Sequence, residues 1–398
     1  MDKLFEKSNI LIQDQSLTFM RSLYQRIHWE DRLIGILGSR GTGKTTLLLQ
    51  RLKLTHGPGT RAIYLSLDDI YFTSHRLIDF AESFRQQGGK LLLLDEVHRY
   101  PGWAREIKNI YDFYKDIQIV FTGSSVMDML RQNADLSRRA MQYELTGLSY
   151  REFLLLSGIG DFPVFTLSDI LHRHTAIAAE LNARFRPLQH FQDYLSIGYF
   201  PFFMENRLTY PYRLEQVVRL IIETDLQFVK GFDPHNSRKI YQLLYLLAIS
   251  VPFKPNVSKL SEKIGIHRNT LLEYLHYLDK ARLANALTSA GKSASVLQKP
   301  DKLFLENPNL HHALAPGIVD KGTLRESFFL NQLRNTGHSL ALPAKGDFLV
   351  DETFTVEIGG KSKSSTQISG IPNAWIAADD LEIGSSNKIP LWLFGFLY

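Results

Sequence analysis

The sequence predicts an α/β chain: a parallel sheet covered by helices in residues 1–160, then a helical region (161–236), a winged helix-turn-helix (237–298) and a small α/β domain (299–398). Three observations predict this. Apolar runs alternate with amphipathic stretches over the first half, as strands do when they cross over through helices. A glycine-rich run, Gly38 to Thr45, stands between one such strand and one such helix. Past residue 237, a short helix, a glycine turn and a second helix are followed by a stretch mixing short strands with one clear helix.

The elements follow in order. Arg32 to Leu37 is a buried strand and Thr45 to Leu54 a helix. Ala62 to Leu67 and Arg76 to Gln86 repeat the pair. Leu91 to Leu94 is a third strand, ending at Asp95. Trp103 to Tyr114 is helical, Ile117 to Phe121 is a fourth strand and Met141 to Leu145 a fifth. From Leu167 to Phe232 the chain is helical and aromatic-rich, broken at Pro187, Pro201 and Pro211. Three helical segments span Ser237 to Leu287, a polar loop follows at Gly291 to Ser295, and Thr323 to Arg334 is the last clear helix. There is no internal repeat.

Composition narrows the function classes. With 25 Phe and 17 Tyr in 398 residues the chain can bury a large core, so it is not a disordered protein. The 26 Gly and 15 Pro follow no period, which excludes a collagen-like chain. No Cys is present, so there is no disulfide, thiolate metal site or cysteine nucleophile. The first residues lack the apolar segment of a secretory signal, and the most apolar runs, Tyr241 to Phe253 and Pro390 to Tyr398, are too short to span a bilayer. A cytoplasmic protein without a membrane partner is expected. The net charge of +5 gives only a weak hint of an anionic partner.

Gly38-Ser39-Arg40-Gly41-Thr42-Gly43-Lys44-Thr45 matches the P-loop pattern in full, and Thr46 continues it into the helix. Its glycines let successive backbone N–H groups close around phosphates at a helix N-terminus. Lys44 reaches the β- and γ-phosphates of ATP, and the Thr45 hydroxyl binds Mg²⁺. Leu91 to Leu94 delivers Asp95 to a strand end for the metal, and Glu96 beside it polarises the attacking water. One strand, Ala62 to Leu67, comes between these two parts of the site in the sequence. With an acid following the metal aspartate, this resembles the branch of P-loop proteins that hydrolyse ATP with a catalytic glutamate, and it argues against a GTPase or a small-molecule kinase.

Two further positions carry open readings. Thr122, or failing it Ser124, ends the fourth strand where a polar group contacts the γ-phosphate or the water; Ser125 equally suits a helix N-cap. Arg138 and Arg139 precede the fifth strand. They are either a finger onto the γ-phosphate, from this chain or a neighbouring copy in a homo-oligomer, or a solvated basic pair.

Together these motifs resemble the prokaryotic AAA-like ATP-binding protein family with a C-terminal domain of unknown function. The resemblance also rests on Leu94 to Trp103, Thr122 to Ser125, Leu145 to Phe153, Tyr194 to Pro201 and Ile389 to Phe396, and covers nearly the whole chain. It implies ATP binding and hydrolysis. The family tends to carry Gln where His98 stands, and often a second Gly where Tyr199 stands.

The later regions supply candidate partners. Val257 to Ile264, Gly265-Ile266 and His267 to Leu278 form a helix-turn-helix, with Arg282 to Leu287 as a wing strand. Lys254, Lys259, Lys263, Arg268, Lys280 and Arg282 outnumber Glu262, Glu273 and Asp279 by three, which suits phosphate contacts with double-stranded DNA. His267, Arg268 and Asn269 stand where base edges are read. The same fold also serves as a packing or protein-contact module, so a nucleotide-switched protein-interaction protein is the alternative. Glu326, Asp347, Glu357 and Lys361 resemble a restriction-endonuclease-like core. In an active core the last acid and the lysine are two residues apart, about 7 Å, and here they are four apart, about 13 Å. Lys363 is farther along still. A retained fold without nuclease activity is expected.

Overall fold

The computed structural model describes residues 1–59, 61–124, 126, 136, 138–229, 231–249, 256–291, 299–318 and 320–398. The chain divides into two compact units: residues 1–146 with 228–230, and residues 147–227 with 231–398. The first boundary therefore falls at 146 rather than 160. Tyr150 to Leu156 packs in the second unit, where Ser149 Oγ and Arg151 Nε both donate to the Tyr398 carbonyl, at 2.6 and 3.0 Å. The three later segments expected as separate domains share this one unit.

The first unit runs α1 (Asp2–Asp14), α2 (Leu23–Arg26), β1 (Leu33–Gly38), α3 (Lys44–Thr55), β2 (Ala62–Ser66), α4 (Leu77–Gln86), β3 (Leu91–Asp95), α5 (Trp103–Phe113), β4 (Gln118–Ser124) and β5 (Met141–Glu144). All five strands are parallel, in the order β2-β3-β4-β1-β5. The continuous apolar runs are explained by burial on both faces. Leu33 and Leu37 of β1, with Leu92 and Leu94 of β3, face Phe80, Phe84, Trp103 and Ile107 of α4 and α5. Ile34 and Ile36, with Leu91 and Leu93, face Leu47, Leu48 and Leu52 of α3. Each such fully buried Leu or Ile contributes about 1.5–3 kcal/mol. β2 precedes β3 in sequence, but β4 is what lies between β1 and β3 in the sheet.

The second unit contains α6 (Tyr150–Leu156), α7 (Leu167–Arg184), α8 (Pro187–Ile197), α9 (Tyr210–Leu220), α10 (Ser237–Ile249), α11 (Val257–Ile264) and α12 (Arg268–Lys280). Then come β6 (Ala284–Leu287), β7 (Lys302–Leu305), α13 (Pro308–Leu314), α14 (Lys321–Asn335) and β8 (Leu340–Ala341), β9 (Phe348–Val350), β10 (Phe354–Gly359), β11 (Ala374–Ala378) and β12 (Lys388–Pro390). β8 to β12 form one sheet in the order β12-β11-β10-β9-β8, antiparallel from β8 to β10 and parallel from β10 to β12. Capping boxes start α6 (Ser149 with Glu152) and α7 (Thr166 with Asp169). The apolar run Leu391 to Phe396 is core: Phe394 meets Phe329 of α14 edge-on, and Phe396 meets Tyr150. Tyr199 donates to the buried Glu306 at 2.9 Å, and its ring lies where a side chain on Gly147 would go.

Candidate functional site

The phosphate loop forms because β1 ends at Gly38 and α3 begins at Lys44, with Gly43 as its N-cap at φ 95°. A side chain on Gly38 would overlap the Leu145 carbonyl oxygen, so only glycine lets this strand end and the end of β5 meet. Lys44 is buried and donates to the carbonyls of Gly38 and Ser39, both at 2.9 Å. Thr42 Oγ1 closes the loop onto Ser39 O at 2.9 Å. Arg40 and Gly41 lie at its crest, and Thr45 and Thr46 are exposed on the first turn of α3. Arg21, which sequence reasoning missed, is buried and braces the loop. It donates to Thr42 O at 2.7 Å and Thr146 O at 2.8 Å.

Asp95 gathers the hydroxyls. Thr45 Oγ1 donates to its Oδ2 at 2.6 Å and Tyr64 OH at 2.8 Å, while Thr122 Oγ1 donates to Oδ1. The Glu96 amide points at Asp95 Oδ1 (3.2 Å) and Thr122 Oγ1 (3.3 Å). Burial and the Asp95 charge push the Tyr64 phenol far up, so it stays a donor. Tyr64 was also missed. Its signal was a polar tip in an apolar strand, on the face that Asp95 shares. One carboxylate beside one hydroxyl is the hard-oxygen set that suits Mg²⁺, which takes its other oxygens from water and phosphate. Among the described residues no cluster of three or more His, Cys, Asp or Glu forms a richer cage.

Glu96 follows at φ 53°, with Oε2 3.6 Å from His98 Nε2, 3.7 Å from Arg99 Nε and 3.9 Å from Arg40 Nη2. Thr122 is turned to Asp95, whereas Ser124 pairs in register with Gly38 and so stands at the loop itself. Ser125 lies outside the described residues.

The arginines require a correction. β5 runs parallel to β1, with Met141 level with Ile34, so residues before β5 lie at the amino ends of the strands. Arg139 pairs with Asp112 near the end of α5, Nε to Oδ1 at 3.1 Å, and its hydrogen bond holds the Asp112 carboxyl below the usual range. Arg32, just ahead of β1, holds the same helix end through the Tyr111 carbonyl at 2.9 Å. From the level of Ile34 to Gly38 is four residues, about 13 Å of strand. Arg138, which is exposed, and Arg139 thus stand at the edge opposite the phosphate loop, and neither reaches it within its own chain.

In the C-terminal sheet Asp347 comes next to Glu357, because β9 and β10 pair with Phe348 opposite Val356. Lys302 Nζ lies 3.0 Å from Glu326 Oε2 and 3.8 Å from Asp347 Oδ1. Burial raises the Glu326 carboxyl, while Lys302 pulls it back. The lysine on Glu357 is Lys363, at 2.5 Å, not Lys361. β10 ends at Gly359, and a turn closed by Lys363 N to Gly360 O (2.9 Å) lays the Lys363 stem over Gly359. A count along a straight strand could not show this reversal.

α11 and α12 meet at Gly265 (φ 71°), whose carbonyl accepts from Lys239 Nζ at 2.7 Å. His267, Arg268 and Asn269 are exposed at the start of α12, as are Lys259, Lys263 and Lys280. Arg282 differs from expectation. It sits at φ 58° and its charge acts on two buried carboxyls: burial raises Glu306 while Arg282 pulls it back, and Arg334, helped by Arg282, holds Asp279 below the usual range against its burial. β6 pairs antiparallel with β7; Lys254 and residues 292–295 of the expected polar loop lie outside the described residues.

The family described as "AAA domain" matches residues 30–154, and a domain of unknown function, DUF8612, matches residues 188–319. The uncharacterized protein MJ1637 of Methanocaldococcus jannaschii is 30% identical over 391 residues, covering 90% of this chain and 81% of its own. AMPPCP-bound DnaA from Aquifex aeolicus is 18% identical, covering 65% of this chain and 84% of that one, at a TM-score of 0.26. ORC1 of Aeropyrum pernix in complex with DNA is 12% identical, covering 79% and 92%, at a TM-score of 0.30. Both scores are low. With its phosphate loop inside the matched AAA domain and 90% of its residues aligned with MJ1637, the chain belongs to an AAA-like, P-loop ATP-binding protein family.

Proposed function

We propose that the protein is a Mg²⁺-dependent ATPase whose nucleotide state governs its grip on double-stranded DNA. One observation carries the hydrolytic part: Asp95 with its three hydroxyl donors, and Glu96 next to it, at the strand end beside the phosphate loop. Asp95 and Thr45 would hold Mg²⁺, which when bound draws charge from the phosphates. Lys44 and the N–H groups at the start of α3 bind the phosphates. Tyr64 and Thr122 keep the Asp95 carboxylate oriented, and Glu96 takes the proton of the attacking water. Glu96→Gln should bind ATP and turn over ~10²-fold or more slowly, the scale of a positioned base. Wild-type turnover in this variant would remove Glu96 from that role.

The DNA part rests on the exposed start of α12 in a winged helix. Lys259, Lys263, Arg268 and Lys280 stand against Glu262 and Glu273, so log affinity should fall with log salt at a slope of about −2. The second reading is a protein-contact module, and the inward turn of Arg282 favours it. Filter binding of duplex DNA at low and high salt separates the two.

A further inference from the structure

Glu96 is crowded by positive charge. Its Oε2 is buried and accepts no hydrogen bond among the described residues, although two guanidinium groups and one imidazole lie within 3.9 Å. These three differ in what a nucleotide would do to them. Arg40 belongs to the phosphate loop, so a triphosphate competes for it. The Arg99 side chain is 31% exposed, and water screens its pull. The His98 side chain is 1% exposed and has nowhere to turn.

What fixes His98 comes from far downstream. The Phe228 ring meets the imidazole edge-on, with centroids 5.9 Å apart at 88°. Phe228 belongs to the same compact unit as the phosphate loop, while the chain on either side of 228–230 does not. It ends a 3₁₀ turn, Leu226–Phe228, that directly follows a π-helical turn, Ile221–Asp225. Single π turns within helices are frequent at functional sites.

We propose that His98 is a positioning residue for Glu96 and that Phe228 sets His98, so that ATP turnover answers to the conformation of residues 221–229. This rests on the reading of Glu96 as base. When Arg40 turns to phosphate, Arg99 and His98 are left beside the carboxylate, and only His98 is held rigidly. The 3.6 Å separation is long for a hydrogen bond, as catalytic contacts often are before substrate binds. A base displaced by about 1 Å costs up to ~10²-fold in rate.

The test uses the full chain and the variants His98→Leu, His98→Gln and Phe228→Ala. His98→Leu should lower kcat between about 10- and 10²-fold, with KM and the affinity for a fluorescent ATP analogue changed by less than about twofold. His98→Gln, whose amide still donates to a carboxylate, should stay within about threefold of wild type. Phe228→Ala should lower kcat likewise and speed amide exchange at residues 96–99; Phe228→Leu takes its place if the alanine variant melts early. Wild-type kcat in His98→Leu, or unchanged exchange at 96–99 in the Phe228 variant, overturns the proposal. A wild type that binds ATP without hydrolysing it removes the reading of Glu96 instead, and the exchange at 96–99 still decides whether Phe228 holds this turn.

Discussion

Gly38→Ala tests whether the phosphate loop depends on the contact between the ends of β1 and β5. A Cβ on Gly38 would have the Leu145 carbonyl carbon at 3.3 Å and its oxygen nearer still. This neighbour is backbone, held by Leu145 N donating to Leu37 O at 2.7 Å, so it cannot swing aside as a side chain would. Restoring van der Waals separation requires a shift on the order of 1 Å, given carbon contacts near 3.5–4 Å. That shift falls on the residue that starts the loop and whose carbonyl accepts from Lys44. Misplacing a binding group by about 1 Å costs as much as ~10²-fold, so affinity for a fluorescent ATP analogue should drop at least about tenfold. The overpacking should also cost about 1–3 kcal/mol of stability. Gly59→Ala is the control: a Cβ there meets nothing within 4 Å, and its effect should stay within about 0.5 kcal/mol. Titration of the analogue and urea unfolding measure both. A Gly38→Ala protein that binds and unfolds like wild type would refute the close approach.

Other outcomes follow from the corrected positions. Lys363→Ala leaves Glu357 buried without its ammonium and should cost about 2 kcal/mol, discounted for the half-open lysine, whereas Lys361→Ala should be within about 0.5 kcal/mol of wild type; equal losses in urea unfolding would mean that the turn at Gly360 is misread. Arg139→Ala should leave ATP turnover within about twofold; a tenfold loss would mean that the arginine reaches a nucleotide, which the strand direction allows only from a neighbouring copy. Burial pushes Tyr150, Tyr194, Tyr199 and Tyr210 well above 10. Below pH 10 folded and unfolded chains both keep these protons; above it only the folded chain does. Stability should therefore be full below pH 10 and fall above it by up to about 1.4 kcal/mol per tyrosine per pH unit, and a flat unfolding midpoint from pH 9 to 11 would contradict this.

What could be read from the sequence was local. The phosphate loop, Asp95-Glu96 and the first four strands of the first unit announce themselves through contiguous residues, because apolar runs between helices have few other uses. Tyr64 and Arg21 could not be read this way. Tyr64 reaches Asp95 only because β2 is placed beside β3, and strand order is not written in any one stretch. For Arg138 and Arg139 only the reach onto the phosphate loop of their own chain falls away, because sequence spacing does not tell which end of a sheet a loop occupies; the direction of β5 does. Lys363 and Arg282 were misjudged at reversals, one at a glycine pair and one at a positive φ, where side chains leave the course a straight element predicts.

The return of Phe228 to the first unit also has a meaning in time. Ribosomes deliver the chain in order, and residues 147–227 must be made after β5 before this ring exists. At roughly 5–20 residues per second that is a delay of several seconds. During it a nascent sheet already has its phosphate loop, but His98 lacks its aromatic neighbour. On the roles proposed for Glu96 and His98, a growing chain would thus meet ATP with an untuned base, and full turnover would begin only once a later part of the protein had been translated.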